Sequence, residues 1–269
     1  MDTYARANVV KDKLRRGQSV FGMEVWLRDP RVLELLAQAG YDFVQIENEH
    51  VANDWEKLEN AFRTAQLLGM TPVFRTEQCF DGQPPVNQII KALKAGAQII
   101  KVPHVETAAE ARRAVSAARY APAGKRGLAT CDRSAREIPS SADGPLDIQK
   151  YVRDANDEVS VWILIETPEG LANADEICAV DGVDVVGFGH QDFAIAAGLD
   201  RDNAPEVAAA REKVLDAALR HGKQMYVQSS DPDIIRGRAR QGLRVFVLRV
   251  DLIHLNDTFR NLIAVRETL

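Results

Sequence analysis

Short runs of β-branched and aliphatic residues alternate, from one end of this chain to the other, with longer stretches whose apolar residues fall at helical spacing. That alternation is the pattern of repeated βα units around a parallel sheet. Strands are expected at 19–26, 42–47, 71–75, 97–102, 159–166, 184–189, 223–228 and 244–250. Each precedes a helical stretch, at 30–39, 54–69, 86–95, 107–119, 168–179, 204–220, 231–241 and 252–268. Length alone, 269 residues, allows two domains of ~130 residues or one barrel of ~250. Eight strands and eight helices in alternation favour the second, an α/β protein built as a single (β/α)8 TIM barrel over 1–269.

Local signals agree with this frame. Val32, Leu33, Leu35 and Leu36 share one face of a helix that stops at Gly40, and Leu58, Ala61, Phe62, Ala65 and Leu68 follow a 3.6-residue period behind a capping Asn53 or Asp54. The only long connection runs from His104 to Glu158, and its part at 135–145, rich in Pro, Ser and Gly, reads as an exposed loop. The last helix carries Leu252, Ile253, Leu255, Phe259, Leu262 and Ile263 on a face that suits either its own barrel or a neighbouring subunit.

Charge and cysteine content exclude several functions. Thirty-four basic against 39 acidic residues give a net charge of −5, with no basic stripe for nucleic-acid phosphates. The strongest apolar run, Val161-Trp162-Ile163-Leu164-Ile165, is strand-sized and far short of the ~18 residues of a membrane span. The charged amino terminus lacks the apolar core of a secretory signal. Cys79, Cys131 and Cys178 are odd in number and widely spaced, so no disulfide framework is expected and a cytoplasmic location is.

In such a barrel, functional side chains gather at the carboxyl ends of the strands. Strand two ends there in Glu47-Asn48-Glu49-His50, strand three in Arg75, strand four in Pro103-His104 and strand five in Glu166, while strand six runs through Gly189-His190-Gln191 to Asp192. Glu166 follows five apolar residues, so its carboxylate needs a cation or several donors to stay ionised; an arginine or the amides of the next helix would also serve. Asp192, from the adjacent strand, would complete a pair of oxygen ligands for a hard cation such as Mg2+ or Mn2+, or would act as a helix N-cap. His50 lies where Glu47 or Glu49 could fix its tautomer for general-base work. Arg75 is placed to meet a substrate carboxylate or a developing oxyanion. No HExxH, GxSxG, P-loop or GxGxxG is present.

These segments resemble the HpcH/HpaI class of metal-dependent pyruvate aldolases. The resemblance spans nearly the whole chain and rests on Ala39-Gly40-Tyr41-Asp42-Phe43-Val44, Glu49-His50 with Asn53-Asp54, Val73-Phe74-Arg75, Val102-Pro103, Arg119-Tyr120-Ala121-Pro122-Ala123-Gly124-Lys125-Arg126-Gly127, Ile165-Glu166-Thr167, and Gly182-Val183-Asp184 leading to Asp192. It implies a lyase that cleaves a 4-hydroxy-2-oxo acid, such as a 2-keto-3-deoxy sugar acid, to pyruvate and an aldehyde by way of an enolate. By the same resemblance Glu166 and Asp192 hold a divalent ion (Mg2+, Mn2+ or Co2+), and Arg75 binds the ketone or enolate oxygen. His50 is the acid/base residue, which Glu47 orients. Trp26 and Gln191 complete the expected substrate-binding set, and a homo-oligomer, hexamer or trimer, is expected.

The chain also departs from the family pattern. Glu47-Asn48-Glu49-His50 stands for Asp-Gly-Glu-His, Lys94 for an aspartate that supports the histidine across a subunit boundary, Leu164 for a glutamine, and His190 for a proline. Lys101 puts a charge inside strand four. Two alternatives stay open on these residues: Schiff-base chemistry at Lys101 or Lys223, and a barrel that binds an oxo acid without turning it over.

Overall fold

The computed structural model describes residues 3–139 and 146–268. Eight parallel strands close into one barrel in sequence order: β1 (Val20–Val25), β2 (Phe43–Ile46), β3 (Thr71–Arg75), β4 (Ile99–Val102), β5 (Ser160–Ile165), β6 (Val185–Phe188), β7 (Gln224–Gln228) and β8 (Val245–Val250). All eight fall inside the expected ranges, because mostly buried strands carry short runs rich in β-branched and aliphatic residues. The arrangement is α/β and consistent with a (β/α)8 barrel.

Twelve α-helices are present among the described residues, four more than the periodicity gives. The added ones are α1 (Val9–Arg15), α6 (Ile148–Glu158) and α9 (His190–Ala196), and the stretch expected as one helix at 168–179 is two, α7 (Pro168–Ala172) and α8 (Ala174–Cys178). They part at Asn173, whose side chain leaves the helix register to donate to the Glu106 carbonyl at 2.8 Å. The remaining helices are α2 (Pro30–Gln38), α3 (Trp55–Leu67), α4 (Val86–Ala95), α5 (Ala108–Ala118), α10 (Pro205–Arg220), α11 (Pro232–Arg240) and α12 (Asp251–Ile263). Proline opens α2, α7, α10 and α11, where its missing N–H would have had no partner anyway. Of the loop expected at 135–145, Ala135 is buried and pairs with Ala5 while 136–139 are exposed; 140–145 lie outside the described residues.

Two apolar cores follow from strand alternation. Outward residues such as Val44, Phe74, Ile100 and Ile163 pack under the helices. Inward residues fill the barrel: Phe43, Val73, Ile99, Trp162, Val185, Tyr226 and Val245, joined by Val10 of α1. Phe43 meets Trp162 edge to face at 5.5 Å between ring centroids, and Trp162 stacks on Tyr226 at 6.1 Å. Gly22 of β1 makes room for this layer, since a Cβ there would lie 2.1 Å from the Phe43 ring.

Above the aromatic layer lies a buried polar one. Lys101 Nζ reaches Gln45 Oε1 at 3.0 Å and Glu24 Oε1 at 3.3 Å and sits 4.5 Å above the Tyr226 ring. Gln45 Nε2 donates to the same Glu24 oxygen at 2.7 Å. Burial pulls the Lys101 pKa down, but Tyr226 and Glu24 outweigh it and hold the ammonium charged.

Leu252, Leu255, Phe259, Leu262 and Ile263 of α12 are exposed, Leu262 by 69%. Their face therefore does not pack on its own barrel. Among the described residues, no helix is long and apolar enough to cross a membrane.

Candidate active site

The carboxyl ends of the strands surround a cavity of about 640 Å3, and Glu24, Lys101 and Tyr226 form part of its floor. Its size is that of a small-molecule site. Trp26, His50, Arg75, Glu166, Gln191 and Asp192 all line it, so six of the seven residues singled out in the sequence share one space. The seventh, Glu47, is fully buried beside it.

Glu166 follows β5 and is 1% exposed. Its Oε1 accepts the His104 N–H at 2.8 Å. The helix amides are not its partners, because Thr167 caps α7 by accepting from Gly170 N at 3.0 Å. Burial pushes the Glu166 carboxyl up to about 8, and Arg75 and the His104 N–H offset that only in part. The chain's own charges thus neutralise this carboxylate only in part. Gly189 is what leaves space around it, since a Cβ there would fall 2.2 Å from Glu166 Oε2.

Asp192 is not a helix N-cap. Gly189 occupies that position in α9 and Asp192 lies within the first turn, because the helix starts three residues earlier than the apolar pattern indicates. One ligand atom each from Glu166, Asp192 and His104 lies within 4.8 Å of the others. Two carboxylates and an imidazole around a buried, underneutralised oxygen fit a divalent cation.

Arg75, at the end of β3, is 7% exposed. It forms a close ion pair with Glu49 and lies 3.5 Å from Glu47 Oε2. Burial draws its pKa down, but Glu47, Glu49 and Glu166 carry it above its ordinary value. The guanidinium is therefore a fixed positive charge at the cavity wall.

Glu47 and Glu49 divide the work that the sequence leaves undivided. Glu47 Oε1 accepts the backbone N–H groups of Glu49 at 2.7 Å and His50 at 3.1 Å, which fixes the turn after β2. Its carboxylate faces this backbone, and the Glu49 carboxylate is the one beside the imidazole, with Oε2 3.4 Å from His50 Nε2. Burial raises the Glu49 pKa, opposed by Arg75 and His50. His50 is half exposed and lies against Trp26, 5.7 Å between ring centroids. Trp26 is held in turn by Asp251, whose carboxylate accepts the Trp26 and Leu27 N–H groups at 3.0 Å each. The Trp26 indole N–H is buried and has no partner.

The two lysines considered for Schiff-base chemistry do not suit it. Lys223 precedes β7 and so stands at the opposite rim, and Lys101 is held protonated inside the polar layer, whereas the nucleophile must be a neutral amine. Lys94 ends α4, at the amino-terminal side of the barrel and away from His50 of its own chain. His104 is the residue that sequence reasoning passed over. It is visible there only as a histidine directly after a strand, and its approach to Glu166 depends on a left-handed backbone that no local signal announces.

Comparison with known proteins agrees with this geometry. A hydroxypyruvate/pyruvate aldolase of Pseudomonas aeruginosa is 33% identical over 264 residues, covering 95% of this chain and 91% of that protein. The crystal structure of an HpcH/HpaI aldolase from Desulfitobacterium hafniense superposes with a TM-score of 0.86 at 26% identity, covering 98% of each chain. That of the citrate synthase SbnG does so with a TM-score of 0.84 at 28% identity, covering 97% of this chain and 98% of the other. The sequence profile of one family extends over residues 21–254, from the first barrel strand into the last helix. With its strands in place and its rim residues gathered in one cavity, the chain belongs to the HpcH/HpaI aldolase/citrate lyase family.

Proposed function

We propose that this chain is a divalent-cation-dependent carbon–carbon lyase that cleaves a 4-hydroxy-2-oxo acid to pyruvate and an aldehyde. One observation carries the reading: an underneutralised carboxylate pair, a fixed guanidinium and an imidazole all face one cavity. The aldolase activity in the name of the P. aeruginosa relative supports it. A Mg2+, Mn2+ or Co2+ ion held by Glu166 and Asp192 would draw electron density from the oxo acid's carbonyl and lower the cost of an enolate.

The chain's own groups supply the rest. Arg75 sets a permanent positive charge beside the oxygen on which negative charge grows, in a site from which burial excludes much water. His50 takes the proton of the C4 hydroxyl; the C3–C4 bond breaks, its electron pair passes to C3, and the aldehyde leaves. Proton return to C3 then gives pyruvate. Glu49 Oε2, 3.4 Å from His50 Nε2, stands beside the imidazole through both events. The amide of Gln191 offers hydrogen bonds to the substrate's oxygens, and Trp26 forms part of the wall beside it.

The test is cleavage of 4-hydroxy-2-oxo acids by protein stripped with EDTA, then given each ion, together with deuterium exchange at the pyruvate methyl group. Activity and exchange that vanish with chelation and return with the ion are expected. Full activity in the stripped protein, or binding of pyruvate with no exchange above buffer, overturns the proposal.

The likeness to a citrate synthase favours a second reading, in which the same enolate chemistry joins a different 2-oxo acid to its partner. Product analysis with larger oxo acids separates the two, and the cavity's volume leaves room for them.

A further inference from the structure

His104 has no part in the cleavage scheme above, yet three features set it apart. It follows β4 directly, so it emerges beside the residues that follow β5 and β6. Its backbone has φ 53°, a left-handed conformation that is strained for a residue of this type and persists where the surroundings impose it. In that conformation its N–H meets Glu166 Oε1 at 2.8 Å while its ring Nε2 stands 3.7 Å from the same oxygen.

The second distance is too long for a hydrogen bond. It is well within the separation of two ligands that each bind one ion at roughly 2.0–2.2 Å. Asp192 brings a third atom into the same space. The backbone N–H alone supplies the hydrogen bond to Glu166, and the ring nitrogen faces the same space as Asp192.

We infer that His104 is a third protein ligand of the cation, binding through Nε2, and that it biases the site toward borderline ions such as Co2+ and Zn2+ over Mg2+. Imidazole nitrogen suits the former, whereas Mg2+ takes oxygen ligands. The inference rests on the reading of Glu166 and Asp192 as a cation-binding pair, and its test keeps the two apart.

Purified protein stripped of metal is titrated calorimetrically with Co2+, Zn2+ and Mg2+, and the visible absorption of the Co2+ form is recorded. The variants are His104→Asn, which retains the backbone N–H and tolerates the left-handed conformation, and His104→Gly, which relieves it altogether. Loss of a ligand should weaken Co2+ and Zn2+ binding at least as much as loss of an outer partner does, about 10–100-fold. Mg2+ binding should change by less than about 3-fold, and the Co2+ bands should shift in both variants. An unchanged ratio of Co2+ to Mg2+ affinity with unchanged bands overturns the role of His104. Glu166→Gln separates the other failure: if it leaves all three ions bound as in the parent protein, the Glu166–Asp192 reading falls as well.

Discussion

Glu166→Gln should abolish cleavage and at the same time make the metal-free protein more stable. The glutamine is isosteric and its Oε1 still accepts the His104 N–H, so packing and the one backbone hydrogen bond survive. What disappears is a buried negative charge whose pKa is about 8 in the fold against an ordinary value of 4.5. An acid raised in this way destabilises the folded state as pH climbs through the unfolded value, and the penalty stops growing above the folded one. At about 1.4 kcal/mol for each pH unit between the two, the penalty reaches about 5 kcal/mol above pH 8 and stays below about 1 kcal/mol at pH 5.

Urea unfolding in EDTA at pH 5 and pH 8.5 measures it. The variant's advantage should be small at the lower pH and several kcal/mol at the higher. Divalent cation should shrink the variant's advantage by about 2.7 kcal/mol at a hundred times its dissociation constant, because it stabilises the parent protein and has no pair to bind in the variant. A variant no more stable than the parent at pH 8.5, or one with the same gain at both pH values, would refute the argument that Glu166 is an underneutralised carboxylate.

Two further outcomes follow from packing. Gly189 has φ −86°, which alanine adopts freely, so Gly189→Ala acts only through the Cβ that would stand 2.2 Å from Glu166 Oε2; cation affinity by calorimetry should drop about 10–100-fold, and parental affinity would disprove the contact. Lys101→Met leaves Glu24 buried with only Gln45 for a partner, at a cost of about 3–5 kcal/mol in denaturant unfolding. Adding Glu24→Gln should recover most of that, and strictly additive losses would show that the two charges do not interact.

The barrel was legible because eight mostly buried strands read as eight short runs rich in β-branched and aliphatic residues, and every one was found. The helices missed were those with only one or two buried residues to betray them. In α6 only Tyr151 and Ala155 are buried, and α1 is a single charged stretch whose Val10 happens to enter the barrel. The rim residues were legible as a set, since position after a strand is enough to place them. Their individual tasks were not: Glu47 and Glu49 are two residues apart and both reach Arg75, yet one carboxylate accepts backbone amides and the other stands beside the His50 ring. Side-chain direction beyond the end of a strand depends on turn geometry, and the sequence does not encode that in any two-residue pattern. His104 was hidden for the same reason.

The filling of the barrel interior has a consequence for traffic. Phe43, Trp162 and Tyr226 fill the middle of the barrel, and Val10 of α1 packs into the same cluster from the amino-terminal side. The cavity is thus closed off from the amino-terminal side, and whatever binds against Arg75 and Glu166 arrives and leaves by way of the carboxyl rim and not through the barrel.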